Sequence, residues 1–448
     1  MSNMKLCELF EGINSDMEFP SHLATDSRDV MKGGAFVALE GEKTDGHKYI
    51  PQAIENGAGL IIVRKGKAPK GVNIPVIELE NPERDLADIA SRKLKAHELH
   101  DIIAITGSVG KTTTRAALQK VLSPHFTLHA PERSFNTLIG CTATIMAMPL
   151  ETEIVILEFG ANKPGEIKEL TEYFPPSIAV LTAVAPVHLE GFGSVEGVLN
   201  EKLEITHTTS ISKIIYNHDN PYLAEAFRYV VKSMGVGEWR DSDFVLAVDR
   251  SEYSLPALSF VLAHRESQEI ARFTANIWGK HNAMPLALAA SVGHELGIDL
   301  QESAEALADF QALEGRGRVF ILDNGHKFLV DDAYNANPAS MRASLETFSK
   351  VICAGKIAVL GEMRELGEDS AKYHAELEPL FEGIDAVILV GDVWREALSE
   401  KDSYVFVKDW QEALKAVREI AGTREIQGVL VKGSHSIGLE NVVKELTA

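Results

Sequence analysis

Basic residues are in short supply. The 448 residues hold 44 lysines and arginines against 65 aspartates and glutamates, a net charge of −21. A chain so poor in positive charge lacks the surface that grips a nucleic-acid backbone, and no nucleic-acid partner is expected. A local basic pocket for an anionic substrate stays open. Cysteine is scarce as well: Cys7, Cys141 and Cys353 are odd in number, far apart and without metal-ligand spacing. They read as reduced thiols of a cytoplasmic protein. No apolar run approaches the ~18 residues of a membrane span. The opening stretch MSNMKLCELFEGINSDMEF carries acids early and no long apolar core, so no secretory signal is expected. Low-complexity segments and solenoid repeats are absent too.

What is present is ordinary globular material. Hydrophobic residues make up 45% of the chain, enough to build cores rather than leave it disordered. The length predicts roughly three domains. Residues 1–100 hold short strands and turns (GGAFVALEG, GAGLIIV, IPVIELE) and a helical stretch, ERDLADIASRKLKAHEL. Residues 101–312 alternate strands with helices, the strands being DIIAIT, EIVILEF, SIAVLTAV and KIIYNHD. Residues 313–448 begin the alternation again with KFLVDDAY, KIAVLGE, DAVILVGD and QGVLVKGS. Apolar strands alternating with helices predict an α/β fold with parallel sheets covered on both faces. Nearly every such strand runs out into polar or glycine residues at its carboxyl end: Thr106-Gly107, Glu158, Asp331-Asp332, Gly361-Glu362, Gly391-Asp392 and Lys432-Gly433-Ser434. Open α/β sheets bind ligands at that end, so a cleft between the second and third segments is the expected reaction site.

The stretch AITGSVGKTTTR, residues 104–115, is a strand, a tight turn and a helix start. Gly107 and Gly110 let the backbone of Ser108 and Val109 curl its N–H groups toward phosphate oxygens. The helix N-terminus favours anions. Lys111 is placed to meet β- and γ-phosphates, Thr112 to bind Mg²⁺, and Thr113 follows in the same turn. The usual first glycine of such a loop is missing, since position 105 is Ile. Glu158 closes an apolar strand, where a carboxylate suits a hard cation; a surface glutamate is the plainer alternative. His188 follows the next strand, and a lone histidine is more often structural than a ligand. Lys202, in NEKLEITHTT, reads by itself as a solvated helix charge.

Together these segments resemble the Mur ligase family, the ATP-dependent amide ligases that extend the peptidoglycan stem peptide. The compact Thr106–Thr112 loop looks like that family's variant of the phosphate loop. FNTLIG at 135–140 resembles its Asn-containing segment, with Asn136 the match. GKHNAMPLALAA at 279–290 resembles its G-x-H-N motif, whose Asn, here Asn282, faces adenine. LEGRGR at 313–318 resembles its Gly-Arg segment, with Arg316 the better match and Arg318 the alternative register. Within the family, TDSRDVMKGG at 25–34, EFGANKPGEI, HLEGFGS, DDAYNANPASM, LGEMRELGEDSAKYH and LVKGSHSIGLE are most similar to the members that add D-alanyl-D-alanine.

The resemblance implies three domains: a mixed α/β UDP-MurNAc-peptide-binding domain at 1–100, a central P-loop parallel-sheet ATPase domain at 101–312, and a Rossmann-like domain at 313–448. It implies ATP and two Mg²⁺ ions as cofactors, and UDP-MurNAc-tripeptide and D-Ala-D-Ala as partners, joined through an acyl phosphate by a cytoplasmic monomer. Lys111 and Thr112 would hold phosphate and the first metal, with Glu158 on that metal and His188 on the second. Lys202 aligns with a lysine that family members carry as a carbamate, a metal-binding anion. Asp332, Tyr334 and Asn335 would contact the nucleoside, and Arg316 a phosphate. Asp26, Ser27 and Arg28 would hold the uridine diphosphate sugar, and Lys432 and Ser434 would face the acceptor.

Departures from the family pattern fall at Thr182 or Ala183, where Asn is frequent, at Thr137 and Leu138, and at His435, where an Arg fork for carboxylate is common. Four other readings stay in view. One is a sibling ligase adding the third stem residue. Another is a folate- or cyanophycin-type ligase on the same scaffold. A third is a P-loop switch or transport ATPase with no amine acceptor. The last is an inactive scaffold that has kept the fold.

Overall fold

A computed structural model describes residues 5–9, 17–41, 44–131, 133–249, 258–322 and 327–448. Most of the opening stretch read for a signal, and the Cys7 side chain, lie outside the described residues. Cys141 and Cys353 are free thiols. Among the described residues no helix is long and apolar enough to cross a membrane.

The strands form three sheets. The first is parallel and runs β1 (Leu23–Ala24), β2 (Ala35–Val37), β3 (Leu60–Arg64) and β4 (Val76–Leu79) in chain order. The second comprises β5 (Asp101–Thr106), β6 (Leu128–His129), β7 (Ile154–Glu158), β8 (Ile178–Leu181), β9 (Lys213–Asn217), β10 (Ser233–Gly237), β11 (Phe244–Val248), β12 (Leu258–His264) and β13 (Ile270–Ala275). Its spatial order is β13-β12-β11-β10-β9-β8-β5-β7-β6. The third holds β14 (Arg318–Leu322), β15 (Lys327–Asp332), β16 (Lys356–Gly361), β17 (Ala386–Val390), β18 (Tyr404–Val407) and β19 (Gly428–Lys432), ordered β14-β15-β19-β16-β17-β18.

The sheets are mostly parallel, as expected, with antiparallel strands at two edges. β11, β12 and β13 pair antiparallel at one edge of the second sheet, and β14 pairs antiparallel with β15 at an edge of the third. The reason lies in patterning. β12 alternates buried with half-buried residues and β13 alternates buried with exposed ones, and antiparallel strands tolerate one solvated face. In β5, β7 and β8 the interior is apolar on both faces. Ile103, Ile105, Ile156 and Val180 pack on one side of the second sheet. Their neighbours Ala104, Val155, Leu157 and Ala179 pack on the other, as a two-residue side-chain period demands.

That second core is continuous with the first sheet. Leu86, Ile89 and Ala90 of the helix Pro82–Ala96 join Leu60 and Ile62 of β3 to Ile145 and Val155. The helix is well specified. Asn81 caps it, Pro82 starts it, Glu83 and Asp85 sit in its first turn, and Lys93 and Lys95 in its last. Lys93 Nζ then donates to the Met146 and Met148 carbonyls at 2.8 Å each.

Candidate active site

The carboxyl ends of the second and third sheets face one cleft of about 600 Å³. Two backbone registers set its walls. Ile105 pairs with Glu158 and Thr106 with Leu181 on one side, while Asp332 pairs with Lys432 on the other. Of the residues singled out from sequence, the cleft is lined by Ser108 to Thr113, Asn136, His188, Asn282, Arg316, Asp332, Tyr334, Asn335 and Lys432. Lys202 joins Gly107, Lys111, Asn136 and His188 around an adjoining cavity of about 100 Å³. Asp26, Ser27, Arg28 and Ser434 line neither cavity.

The phosphate loop is held open by its own chemistry. Gly107 and Gly110 have φ of 147° and 88°, and Gly110 caps the helix Lys111–Leu122. A Cβ at Gly107 would overlap Thr182 Oγ1. That hydroxyl's one proton is shared between the Thr106 carbonyl at 3.2 Å and the Val109 carbonyl. Thr182 therefore braces the loop directly. Ser108 N–H donates to Ala183 O at 2.8 Å. Lys111 Nζ rests on the Gly107 carbonyl at 2.6 Å, and burial pulls its pKa to about 8 against a partial offset from Glu158.

Glu158 is not a surface carboxylate: its side chain is 0% exposed. Thr112 and Ser134 hydroxyls donate to its Oε2 at 3.1 and 3.0 Å. Arg115 Nε lies 2.8 Å from Oε1 as an ion pair, although the angle is not that of a hydrogen bond. Neither Ser134 nor Arg115 was singled out from sequence. Thr112, Ser134 and Glu158 bring together oxygen groups of the kind a hard divalent cation takes, with the Arg115 guanidinium beside them.

His188 and Lys202 form the second group. Lys202 is 2% exposed. Burial, with Lys111 adding to it, lowers its pKa to about 7, and Nζ lies 5.9 Å from the Phe192 ring centroid. An ammonium there repels a metal ion. A neutral amine can take up carbon dioxide, and a carbamate there would offer oxygen donors in the cavity that His188 also lines. His188 adopts a left-handed φ of 50°, and its Nδ1 bonds Glu365 of the third-sheet segment, itself at φ 63°. Burial lowers the His188 pKa despite the carboxylate.

Across the cleft, Arg316 lies 4.2 Å from the Tyr334 ring and Tyr334 stacks on His435 at 5.8 Å. Arg316 lines the cleft, whereas Arg318 lies over Phe320 at 4.8 Å. Gly315 N–H donates to Asp331 Oδ2 at 2.8 Å and anchors the turn that presents Arg316. Asp332 pairs with Lys432 Nζ at 2.8 Å, and that ammonium also donates to the Asn335 carbonyl at 3.0 Å. Asn282 Nδ2 donates to the Trp278 carbonyl at 2.7 Å. Burial drops neighbouring His281, which also lines the cleft, to about 4, so it is neutral at pH 7. Ser434 Oγ accepts from Arg364 N–H at 3.2 Å. In the first segment, the Asp26 pKa falls to about 2 because Arg28 bonds it. Ser27 Oγ donates to Gln52 at 2.8 Å, and Asp29 pairs with Arg133 of the second segment at 2.8 Å.

Comparison with known proteins matches three family models to the chain. They are the Mur ligase family catalytic domain at residues 21–98, the Mur ligase middle domain at 105–293 and the Mur ligase glutamate ligase domain at 317–435. The chain is 31% identical to the UDP-N-acetylmuramoyl-tripeptide--D-alanyl-D-alanine ligase of Bacillus subtilis, over 95% of this chain and 92% of that one. It superposes on a MurF crystal structure from Acinetobacter baumannii with a TM-score of 0.83 and 26% identity, over 95% and 93% of the two chains. On the MurF ligase of Thermotoga maritima in complex with ADP the values are 0.80 and 27%, over 95% and 97%.

Proposed function

The chain belongs to the Mur ligase family, and from that premise we propose that it joins D-Ala-D-Ala to UDP-MurNAc-tripeptide at the expense of ATP. The reading makes it an enzyme of cytoplasmic peptidoglycan precursor synthesis, acting as a monomer. It is supported by relatives and solved structures of that name over nearly the whole chain. The observation that carries it is one cleft built from two sheet edges, with Lys111, Thr112 and His188 on one wall and Arg316 and Asp332 on the other.

The chemistry asks for little covalent work and much positioning. A carboxylate has a poor leaving oxygen. Transfer of the γ-phosphoryl group to the tripeptide carboxylate, with ADP leaving, turns that oxygen into part of a phosphate. The neutral amine of D-Ala-D-Ala then attacks the carbonyl carbon. The C–N bond forms, the C–O bond to phosphate breaks, and the amine proton passes to solvent. The loop N–H groups and Lys111 cradle the phosphates. Thr112, Glu158 and Ser134 would hold the first Mg²⁺, and His188 with Lys202, once carbamylated, would hold the second. A divalent cation held there would supply positive charge against the nucleotide phosphates.

Arg316 meets a phosphate, with its plane fixed on Tyr334. Asn282, Asp332, Tyr334 and Asn335 take the nucleoside, and Lys432 acts through Asp332. Asp26, Ser27 and Arg28 take the uridine diphosphate sugar, and Ser434 sits on the acceptor side. The segments 1–100, 101–312 and 313–448 divide this work. Closure of the third over ATP keeps water from the acyl phosphate.

Phosphate release from ATP, Mg²⁺ and UDP-MurNAc-tripeptide, with and without D-Ala-D-Ala, tests the proposal. Release that requires the dipeptide, with a UDP product heavier by one dipeptide unit, supports it. Release indifferent to the dipeptide, with no heavier product, returns the chain to the switch or ATPase class.

A further inference from the structure

Glu365 plays no part in the reading above. It sits in the loop between β16 and the helix Ser370–Ala375 of the third-sheet segment, yet its carboxylate bonds Nδ1 of His188, 177 residues away on the second. Both residues hold a left-handed backbone that L side chains seldom adopt, with φ of 50° and 63°. No glycine occupies either position, so each side chain is presented from a conformation that favours its absence. Nearby, a Cβ at Gly367 would meet the Glu190 side chain at 3.7 Å, so the two segments also approach beside the pair.

The hydrogen bond has a defined direction. A carboxylate accepts, so Nδ1 carries the proton and donates it. Nε2 of the neutral ring is then a lone pair, and His188 lines both the phosphate-side cavity and the larger cleft. Imidazoles that bind metals are oriented in this way, with the distal N–H donated to a carboxylate.

We propose that Glu365 is a positioning residue supplied by the third-sheet segment, fixing the ring and tautomer of His188 so that Nε2 is ready to take the second divalent cation. The metal site is then complete only when the two segments are together, and segment closure and metal binding are one coupled event. This inference rests on the proposed metal role of His188.

Three variants separate the possibilities. Glu365→Ala removes the acceptor, Glu365→Gln keeps a neutral one, and His188→Ala removes the ring. Divalent binding is read by titrating Mn²⁺ into each full-length protein, with a non-hydrolysable ATP analogue and UDP-MurNAc-tripeptide present. The metal-free tautomer is read from the nitrogen-15 shifts of His188. The expected result is a second-site affinity about 10- to 100-fold weaker in Glu365→Ala, largely restored in Glu365→Gln. The first site should not change. In metal-free protein the Nδ1–H tautomer should dominate the native chain and be lost in Glu365→Ala.

Tighter binding in Glu365→Ala would mean that the carboxylate blocks the ring, and would overturn the inference. So would unchanged binding in Glu365→Ala beside weakened binding in His188→Ala. Unchanged binding in His188→Ala would instead remove the metal role of His188, and the inference with it.

Discussion

Arg115→Met is the perturbation whose cost follows most directly from the structure. Arg115 and Glu158 are 4% and 0% exposed, with Nε 2.8 Å from Oε1. At an effective dielectric of ~20, two unit charges ~3–4 Å apart attract by about 4–6 kcal/mol. Desolvation of both ions cancels most of this, so the pair itself adds little net stability. Removing one partner is different. Glu158 keeps its two hydroxyl donors but loses its counter-ion in a site water does not reach, at a cost of about 3–5 kcal/mol. For a unit of some 150–250 residues that lowers the melting point by roughly 6–20 °C.

Calorimetry should show the drop in the transition of the second-sheet segment. The double variant Arg115→Met/Glu158→Gln, which removes both members of the pair, should recover part of it, the rest being held back because Lys111 loses the carboxylate that offsets its burial. If the two single losses simply add in the double variant, the residues are not coupled, and the argument for a buried pair is wrong.

Thr182→Val keeps shape but removes the hydroxyl whose proton the Thr106 and Val109 carbonyls share; ADP affinity should fall about tenfold by calorimetry, the worth of a buried hydrogen bond. Arg316→Lys loses the planar stack on Tyr334; kcat/KM for ATP should fall about 5- to 30-fold, and an unchanged value would remove Arg316 from the nucleotide site. Burial holds Lys202 near 7 against an ordinary 10.5. A lysine so depressed opposes folding fully below pH about 7, and the penalty disappears as pH rises to about 10.5. In buffer freed of carbon dioxide, Lys202→Met should therefore flatten the rise of stability with pH across that window, by on the order of a few kcal/mol in urea unfolding. A slope equal to the native one contradicts the buried-amine assignment.

The strands around the cleft were legible because they are short apolar runs ending in polar residues, and local pattern suffices for that. The phosphate loop was legible for a similar reason, since strand, glycine turn and helix are contiguous. Thr112, at the helix start after one strand, and Glu158, at the end of its neighbour, were placed in one site by the family resemblance. Ser134 and Arg115 could not. Nothing local distinguishes Arg115 from any other helix charge, and only the packing of that helix on β7 brings it to Glu158. Glu365 is further still from its partner in sequence, and its contact exists only once two segments meet. The different settings of Arg316, which lines the cleft, and Arg318, which lies over Phe320, likewise appear only in the fold. The antiparallel edge β11 to β13 went unread, although the alternating burial of β12 and β13 is a period-two pattern.

The central claim is that the γ-phosphoryl group goes to a carboxylate. UDP-MurNAc-tripeptide labelled with oxygen-18 in its terminal carboxylate, turned over with ATP and D-Ala-D-Ala, tests it in one mass spectrum of the released phosphate. The account predicts one labelled oxygen in each phosphate formed with product. Phosphate carrying only unlabelled oxygens, with product still made, would contradict it, because the carboxylate would then never have been phosphorylated.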